Sequence, residues 1–332
     1  MIRVTCRDLV DMAARGLRDV GFSEAVTESL ARATLEAELY GKHVVGLSHL
    51  KHYFDAAQKN LINVSPVVEK QRVTPSMIKV DADGGPMQYA FTSFETDFIT
   101  ISREYGLAAL LLNNTFAGGE LGFIARRLAR HGLMSICTAN SPAVMSIGES
   151  KHRLLGTNPL SYGVPINDRE GFIMDQASSA TALATVEKLA YKNEPLPDGW
   201  AIDKYGDPTN DAAAALEGAL LPFGSYKGAN IALLVELLSM MSGAKSSLEA
   251  APYQSGQGRP DIGVCIFAID ISQMPGFSGR IENLIAQFVD KFGAQLRKTP
   301  LFRYESYVDV LEEDWSLIKH HIEKSEHAYK HP

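Results

Sequence analysis

An apolar run at residues 107–112 is followed by a polar loop, a helical segment and a second apolar run at 133–138. An uninterrupted apolar run of this length is typical of a strand buried on both faces, in a sheet covered by helices. The strand, loop, helix, strand order predicts an α/β fold. If the two strands are parallel, residues 113–119 and Asn140-Ser141 both lie beyond strand C-termini, where open α/β sheets bind ligands.

The flanking segments extend this pattern on both sides. Small and apolar residues recur at helical spacing before residue 60, which predicts an N-terminal helical region. From residue 77 onward, short extended runs alternate with helices. The predicted helices cover residues 7–20, 23–41, 48–59, 96–104, 121–131, 229–244, 280–296 and 315–322, with another starting near Ser178 or Ser179. The further predicted strands cover residues 77–81, 161–165, 172–175 and 264–271.

Composition excludes several classes of protein. The 332 residues are 45% hydrophobic, enough for a large core, and 32 basic against 39 acidic residues argue against a nucleic-acid partner. Three widely separated cysteines favour a reducing cytoplasm over a disulfide framework. We expect neither a secretory signal nor a membrane span, because the most apolar window, residues 231–241, is too short and contains Glu236.

The stretch Leu-Leu-Pro-Phe-Gly-Ser-Tyr-Lys-Gly at residues 220–228 precedes a long apolar run. It reads as a loop that delivers Lys227 to a helix N-terminus. Free N–H groups, the positive end of the helix dipole and the lysine would together suit a phosphate or a carboxylate. The alternative at this point is a solvated lysine beside a helix start.

Four phrases resemble one family together, with their spacing kept: residues 154–160, 172–179, 196–211 and 221–228. They are similar to the malate/L-lactate dehydrogenase family of the sulfolactate, ureidoglycolate and diketogulonate type. The resemblance is strong between about 132 and 245, and weaker but ungapped over 1–65. It implies a homodimeric NAD(P)-dependent oxidoreductase that acts on a small molecule, and some family members reduce cyclic imino acids.

The resemblance also implies a mixed-sheet, non-Rossmann nucleotide-binding α/β fold with an N-terminal helical region. The absence of a GxGxxG phrase after a strand agrees with this. We therefore expect the chain to divide into three parts. Residues 1–75 form a helical region that packs with the C-terminal segment. Residues 76–255 form the NAD(P)-binding domain, and residues 256–332 supply a strand and helices that complete the first domain.

Carried over position by position, the family's cofactor contacts fall on six residues. A hydroxyl and a carboxylate can hold ribose or carboxamide groups, and a lysine can neutralise a pyrophosphate. Before the resemblance, a turn residue and a helix cap were the better interpretations of the serine and the aspartate. The expected cofactor is NAD(P)H, with NADP slightly preferred. The six expected contacts are Ser141, Asp175, Gln176, Ala177, Tyr226 and Lys227.

The catalytic positions depart from the family. The family motif Ser-His-Gly-Val-x-Arg falls on residues 44–49, so that its serine and histidine are Val44 and Val45 and its arginine is His49. The second family histidine falls on Ala117. The family's Gly-Lys pair is replaced at residues 184–185, and its Pro-Gly-Glu phrase has no counterpart near residues 300–304.

Losing both histidines removes a general acid, which typically contributes about 10²–10⁴-fold to a rate. His49 is the candidate catalytic replacement, either as a displaced acid or as a binder of the substrate carboxylate. The competing interpretation is that His49, with His43 and His52, decorates a helix start. No His, Cys or carboxylate grouping has metal-ligand spacing, so no metal is expected.

Two hypotheses on function follow. A cyclic imine can arrive already protonated and needs no strong enzymic acid, so the first is an NAD(P)H-dependent reductase of an imine or a related 2-oxo acid. The second is a divergent family member that binds the cofactor or a ligand without redox turnover, or performs a non-redox step.

Overall fold

The computed structural model describes residues 1–116, 118–166, 170–253, 258–294 and 307–330. The helices are α1 (Cys6–Asp19), α2 (Glu24–Leu39), α3 (Leu47–Gln58), α4 (Met87–Tyr105), α5 (Gly122–Arg130), α6 (Leu183–Tyr191), α7 (Ala212–Glu217), α8 (Tyr226–Met240), α9 (Phe277–Ala286) and α10 (Glu312–Lys330). The strands are β1 (Ile2–Thr5), β2 (Glu69–Thr74), β3 (Met77–Asp81), β4 (Leu107–Thr115), β5 (Leu133–Ala139), β6 (Leu160–Ile166), β7 (Glu170–Gln176), β8 (Ala201–Ile202), β9 (Ala219–Leu220), β10 (Ile262–Asp270) and β11 (Tyr307–Val310). A 3₁₀ turn, His43–Val45, joins α2 to α3.

The main sheet has seven strands in the order β2-β3-β4-β10-β5-β6-β7. Strand β3 is parallel to β4, and the other neighbours are antiparallel. This arrangement is the mixed α/β sheet that was expected. Strand β10 lies between β4 and β5 and runs opposite to both, with Thr115 facing Ile262 and Ala139 facing Val264. Strands β4 and β5 are therefore parallel to each other, and the segments that follow them meet at one edge of the sheet, as predicted.

Three apolar clusters hold the elements together. The largest fills the space between the main sheet and helices α4 and α5. A second cluster joins α1, α2, α3 and α10, and its edge includes the antiparallel pair β1–β11. The third cluster lies under α6 and α7 and the short β8–β9 pair. The division at residues 75 and 255 stays a prediction.

One local prediction was wrong. No helix begins at Ser178 or Ser179, and α6 starts five residues after Ser178, at Leu183. The reason is tertiary, because the Ser178 N–H donates to the carbonyl oxygen of Thr157 at 2.8 Å and its hydroxyl donates to that of Asn158 at 2.7 Å. Ser178 therefore ties two segments together instead of capping a helix. In the described residues, no helix combines the length and the apolar character that a membrane span requires.

Candidate functional site

Lys227 lies in the first turn of α8, directly after a tight turn. The Lys227 N–H donates to the Gly224 carbonyl at 3.3 Å, and Ser225 has φ 58° and ψ −123°. These angles match the first central position of a type II′ turn, which glycine usually occupies because other side chains are strained there. The Lys227 side chain is exposed and forms no ion pair with the residues that the structure describes. The turn therefore presents a cation to solvent at a helix N-terminus.

The expectation of free N–H groups at this helix start is met only in part. The N–H of Gly228 donates to the Phe223 carbonyl at 3.0 Å, and that of Ala229 donates to the Ser225 carbonyl at 3.2 Å. Together with Lys227, three N–H groups are thus already used within the turn. Among the described residues the N–H groups of Ser225 and Tyr226 have no backbone acceptor, so they remain for an anion together with the helix dipole and the lysine side chain.

A series of hydrogen bonds links this turn to the segments that carry the other predicted cofactor contacts. Ser141 Oγ accepts from the Thr157 N–H at 3.1 Å, and the Thr157 carbonyl accepts from the Ser178 N–H. The Ser178 carbonyl in turn accepts from the Phe223 N–H at 3.0 Å. A Cβ added at Gly228 would overlap the carbonyl oxygen of Phe223 and lie 2.8 Å from that of Ser178. The turn is therefore packed tightly onto the segment that follows β7.

A buried carboxylate, that of Glu236, also stabilises this arrangement of segments. Glu236 of α8 accepts from the amide of Asn158 at 2.8 Å and from the Ser247 hydroxyl at 2.6 Å. Ser247 Oγ accepts from the Gly156 N–H at 3.0 Å, next to the Thr157 N–H that reaches Ser141. Glu236 thus fixes helix α8 and the 156–158 segment relative to each other.

Asp175 lies near the end of β7 and connects three parts of the chain. Its Oδ2 accepts from Lys42 Nζ at 2.6 Å and from the Gly122 N–H at the start of α5 at 3.1 Å. It therefore neutralises a lysine and the N-terminus of a distant helix, and it does not cap the helix that follows it. Gln176 is exposed and Ala177 half-buried, directly after Asp175.

Lys42 reaches Asp175 because of how α2 ends. The Gly41 N–H donates to the Glu38 carbonyl at 2.9 Å and the Lys42 N–H to the Ala37 carbonyl at 2.8 Å, with Gly41 at φ 67°. This is a Schellman helix end, in which glycine takes the left-handed conformation. The turn directs Lys42 away from α2, and its Nζ also lies 2.8 Å from Glu120 Oε2.

Lys42 lies between Asp175 and a line of further alternating charges. Glu120 also pairs with Arg126, Arg126 Nε lies 3.2 Å from Glu36, and Glu36 pairs with Arg130 at 3.2 Å. Each carboxylate in this line therefore contacts two positive groups. Burial alone would raise the pKa of Glu120, but Arg126 and Lys42 outweigh burial and hold that pKa below its ordinary value.

The substituted motif forms the 3₁₀ turn and the start of α3. Glu38 organises it, because its Oε1 accepts from the Leu47 N–H at 2.7 Å and its Oε2 pairs with His43 Nδ1 at 2.5 Å. A Cβ at Gly46 would overlap this carboxylate, so the glycine is required for the close approach. Val44 and Val45 are half-buried, and a cavity of about 10 Å³, room for one water, lies between Val45 and Glu120.

His49 lies beside Gly118. A Cβ at Gly118 would overlap His49 Nε2, and the His49 ring packs against Tyr53 at 4.9 Å and His52 at 5.0 Å between centroids. The Nε2 atom is buried without a hydrogen-bond partner among the described residues. Burial, with a smaller effect of His52, lowers the pKa of His49 to about 3, so the ring is neutral near pH 7.

The structure thus brings most of the predicted segments together. Hydrogen bonds connect Ser141 and the residues after Asp175 to the Lys227 turn, and His49 lies beside Gly118, four residues before the Gly122 N–H that Asp175 holds. Ala117 and residues 300–304 lie outside the described residues. Residues 184–185 form the first turn of α6. In the described part of the chain, no group of three His, Cys, Asp or Glu residues could hold a metal ion.

Sequence reasoning missed Lys42 and Glu120. Lys42 lies two residues before the valine pair, and Glu120 follows the Gly118-Gly119 pair. Each is a charged residue beside a position that the resemblance marked as catalytic, and that adjacency was the available signal. The contact between Lys42 and Asp175, 133 residues apart, had no local signature.

A model of the family described as malate/L-lactate dehydrogenase matches residues 4–300. The chain is 32% identical over 303 residues to a Delta(1)-pyrroline-2-carboxylate/Delta(1)-piperideine-2-carboxylate reductase of Pseudomonas aeruginosa, covering 89% of this chain and 90% of that one. It is 31% identical over 299 residues to a (2R)-3-sulfolactate dehydrogenase (NADP(+)) of Chromohalobacter salexigens, with 89% and 90% covered. Among solved structures, the delta1-piperideine-2-carboxylate reductase of Pseudomonas syringae aligns with a TM-score of 0.89 and 26% identity, covering 97% of this chain and 100% of that one.

Proposed function

Because this chain belongs to the malate/L-lactate dehydrogenase family, we propose that it is an NAD(P)H-dependent reductase of a cyclic imine or a related 2-oxo acid. Two relatives each align with 89% of this chain. One is named a pyrroline- and piperideine-carboxylate reductase and the other a sulfolactate dehydrogenase. The chain is an oxidoreductase of this family with altered acid and base residues.

The residues around the α8 turn fit a nicotinamide dinucleotide. Lys227 is exposed at the positive end of a helix, beside Tyr226, whose side chain is 67% exposed and offers a face for stacking. Ser141 and the Asp175–Ala177 segment are connected to the same turn through Thr157 and Ser178. When bound, the cofactor supplies the hydride. We propose NADPH as the preferred form, which is supported by the NADP(+) in the name of one relative.

The substrate class is inferred from the pair of valines in the 3₁₀ turn. A carbonyl that becomes an alkoxide needs a proton at the transition state, whereas a protonated cyclic imine brings its own. His49 is neutral near pH 7 because burial lowers its pKa to about 3, so it offers neither a ready proton nor a cation. A site with this turn is better matched to an imine than to a ketone.

The test is oxidation of NADPH, followed at 340 nm, with two matched panels of substrates. One panel contains the five- and six-membered cyclic imino acids that the relatives' names print, and the other contains 2-oxo acids of the same carbon number. We expect turnover with the imino acids. Turnover of simple 2-oxo acids with none of the imines would refute the imine assignment, and no cofactor oxidation with either panel would refute the reductase.

A second candidate is a protein that binds the cofactor or a ligand without redox turnover, or that performs a non-redox step. The observation that favours it is again the aliphatic turn, because Val44 and Val45 are what a relaxed catalytic requirement would leave. Titration of cofactor fluorescence, followed by the turnover assay, separates the two candidates. Binding without turnover supports the second, and steady oxidation of NADPH excludes it.

We further propose a cytoplasmic homodimer. The homodimer is supported by the apolar surface of α8, whose large side chains are 43–56% exposed. The residues are Leu233, Leu234, Leu237, Met240 and Met241. Monomeric proteins rarely expose a large contiguous apolar patch to solvent. Light scattering of the purified protein tests this, and a monomer at micromolar concentration would contradict it.

A further inference from the structure

Lys42 is a positively charged residue to which the proposed function assigns no role. Its Nζ lies 2.6 Å from Asp175 Oδ2 and 2.8 Å from Glu120 Oε2, and its side chain remains 22% exposed. Of the two contacts, the one with Asp175 is a hydrogen bond and the one with Glu120 is an ion pair without hydrogen-bond geometry. Because the Lys42 side chain remains partly exposed, part of the ammonium group faces outward from the ion pairs.

The position of Lys42 matters as much as its partners. It immediately precedes the 3₁₀ turn that carries Val44 and Val45. Its first partner, Asp175, is followed by Gln176 and Ala177 at the end of β7, and its second partner, Glu120, lines the small cavity beside Val45. Lys42 thus lies between the substituted turn and the strand end that we assign to the cofactor.

We propose that Lys42 is the proton donor of the reduction, in place of the histidine that the turn lacks. This inference rests on the proposed reductase function and takes reduction of a 2-oxo acid as a second activity beside reduction of an imine. An N–H bond of Lys42 breaks as an O–H bond forms on the substrate oxygen, while the substrate carbon receives the hydride of the reduced cofactor. Lys42 is left as a neutral amine and regains its proton from water, so that one ketone becomes one alcohol for each cofactor oxidised.

The two carboxylates orient the donor. Asp175 is itself held by the Gly122 N–H, and Glu120 by Arg126, so neither can follow Lys42 freely. The groups that face the ammonium are Asp175 and Glu120, with Arg126 behind Glu120.

The decisive variant is Lys42→Arg, because arginine keeps the positive charge and the ion pairs but does not give up a proton near neutral pH. We expect kcat for a 2-oxo acid to fall by about 10²–10⁴-fold, with NADPH affinity and the thermal midpoint near those of the wild type. Reduction of a cyclic imine that is already protonated should stay close to the wild-type rate. A purely structural role for Lys42 would lower both activities together.

Lys42→Met is the second variant and Lys70→Arg the control. The methionine leaves Asp175 and Glu120 without this cation, so its thermal midpoint reports whether the site still folds. Lys70 of β2, at the edge of the main sheet opposite β7, pairs with Asp97, and its replacement by arginine should change neither activity. A short alkylamine added to Lys42→Ala, which leaves space for it, should restore part of the 2-oxo acid activity if that variant is folded.

The outcomes separate this inference from the proposed function. Imine reduction that persists in Lys42→Arg while 2-oxo acid reduction is lost supports both. A wild type that reduces imines but no 2-oxo acid, or a Lys42→Arg variant that keeps 2-oxo acid turnover with an unchanged pH profile, overturns Lys42 as donor and leaves the reductase standing. A wild type that reduces neither substrate overturns both.

Discussion

Replacing Arg126 with methionine tests whether the line of alternating charges stabilises the site. Arg126 is 3% exposed, contacts Glu36 at 3.2 Å, pairs with Glu120 and packs over the Tyr40 ring at 4.0 Å. Removing one partner of a buried ion pair typically costs 3–5 kcal/mol because a charge is left without compensation. Since Glu36 keeps Arg130 and Glu120 keeps Lys42, we expect a loss of about 3 kcal/mol in the free energy of unfolding at pH 7.5.

The loss should shrink as the pH is lowered. In the wild type the pKa of Glu120 is held below its ordinary value, so the stability it contributes is present above its unfolded pKa and disappears as the pH falls through the folded pKa. Without Arg126, burial dominates and raises the pKa of Glu120. The carboxylate then takes up a proton at higher pH, which removes the uncompensated charge, and the difference from the wild type narrows toward pH 5.

The measurement is urea denaturation of both proteins at pH 7.5 and pH 5, with Arg126→Met/Glu120→Gln as the matched control. The double variant carries no uncompensated charge at position 120, so it should recover part of the lost stability and show a weaker dependence on pH. A difference below about 1 kcal/mol, or one that is equal at the two pH values, would refute the reasoning.

Three further predictions concern the site. Lys227→Ala should weaken NADPH binding by about 1.5–3 kcal/mol, or about 10- to 150-fold, whereas Lys204→Ala on the surface should not, and equal affinity in both variants would remove the role of Lys227. Ser225→Gly should raise the free energy of unfolding by about 1 kcal/mol, because glycine relieves the strain at φ 58° and ψ −123°; a loss of stability in urea denaturation would contradict this. His49→Asn should lower turnover by loosening the packing against Gly118 without changing the pH profile between 5 and 8, because the pKa of His49 near 3 keeps the ring neutral there. A limb of the profile that disappears with His49 would show instead that the histidine titrates in this range.

The order of elements could be predicted from sequence because periodicity is a local property. A few residues of sequence were enough to recognise the apolar run of β4, the helix α5, the apolar run of β5 and the Lys227 turn. The conclusion that the segments after β4 and β5 meet at one edge needed only the assumption that the two strands are parallel.

What sequence reasoning missed depends on contacts between distant residues. Free N–H groups were expected at the start of α8, but the II′ turn at Ser225 folds backbone carbonyls onto those of Lys227, Gly228 and Ala229. A helix was predicted to start near Ser178 or Ser179, yet the Ser178 hydroxyl donates to the carbonyl oxygen of Asn158, 20 residues earlier. Lys42 could not be linked to Asp175 by any spacing rule, because the pair forms only when α2 and β7 are brought together.

The placement of β10 has a consequence for how the chain acquires its structure during synthesis. Strands β4 and β5 end at Thr115 and Ala139, so both leave the ribosome more than 100 residues before Ile262, the first residue of the strand that bonds to both of them. Until residues 262–270 emerge, each has an unsatisfied edge, and the nascent chain must keep these edges from pairing with one another or with neighbouring chains. Completion of the sheet is therefore a late event. A ribosome stalled before residue 262 would hold a chain whose main sheet still lacks the strand between β4 and β5.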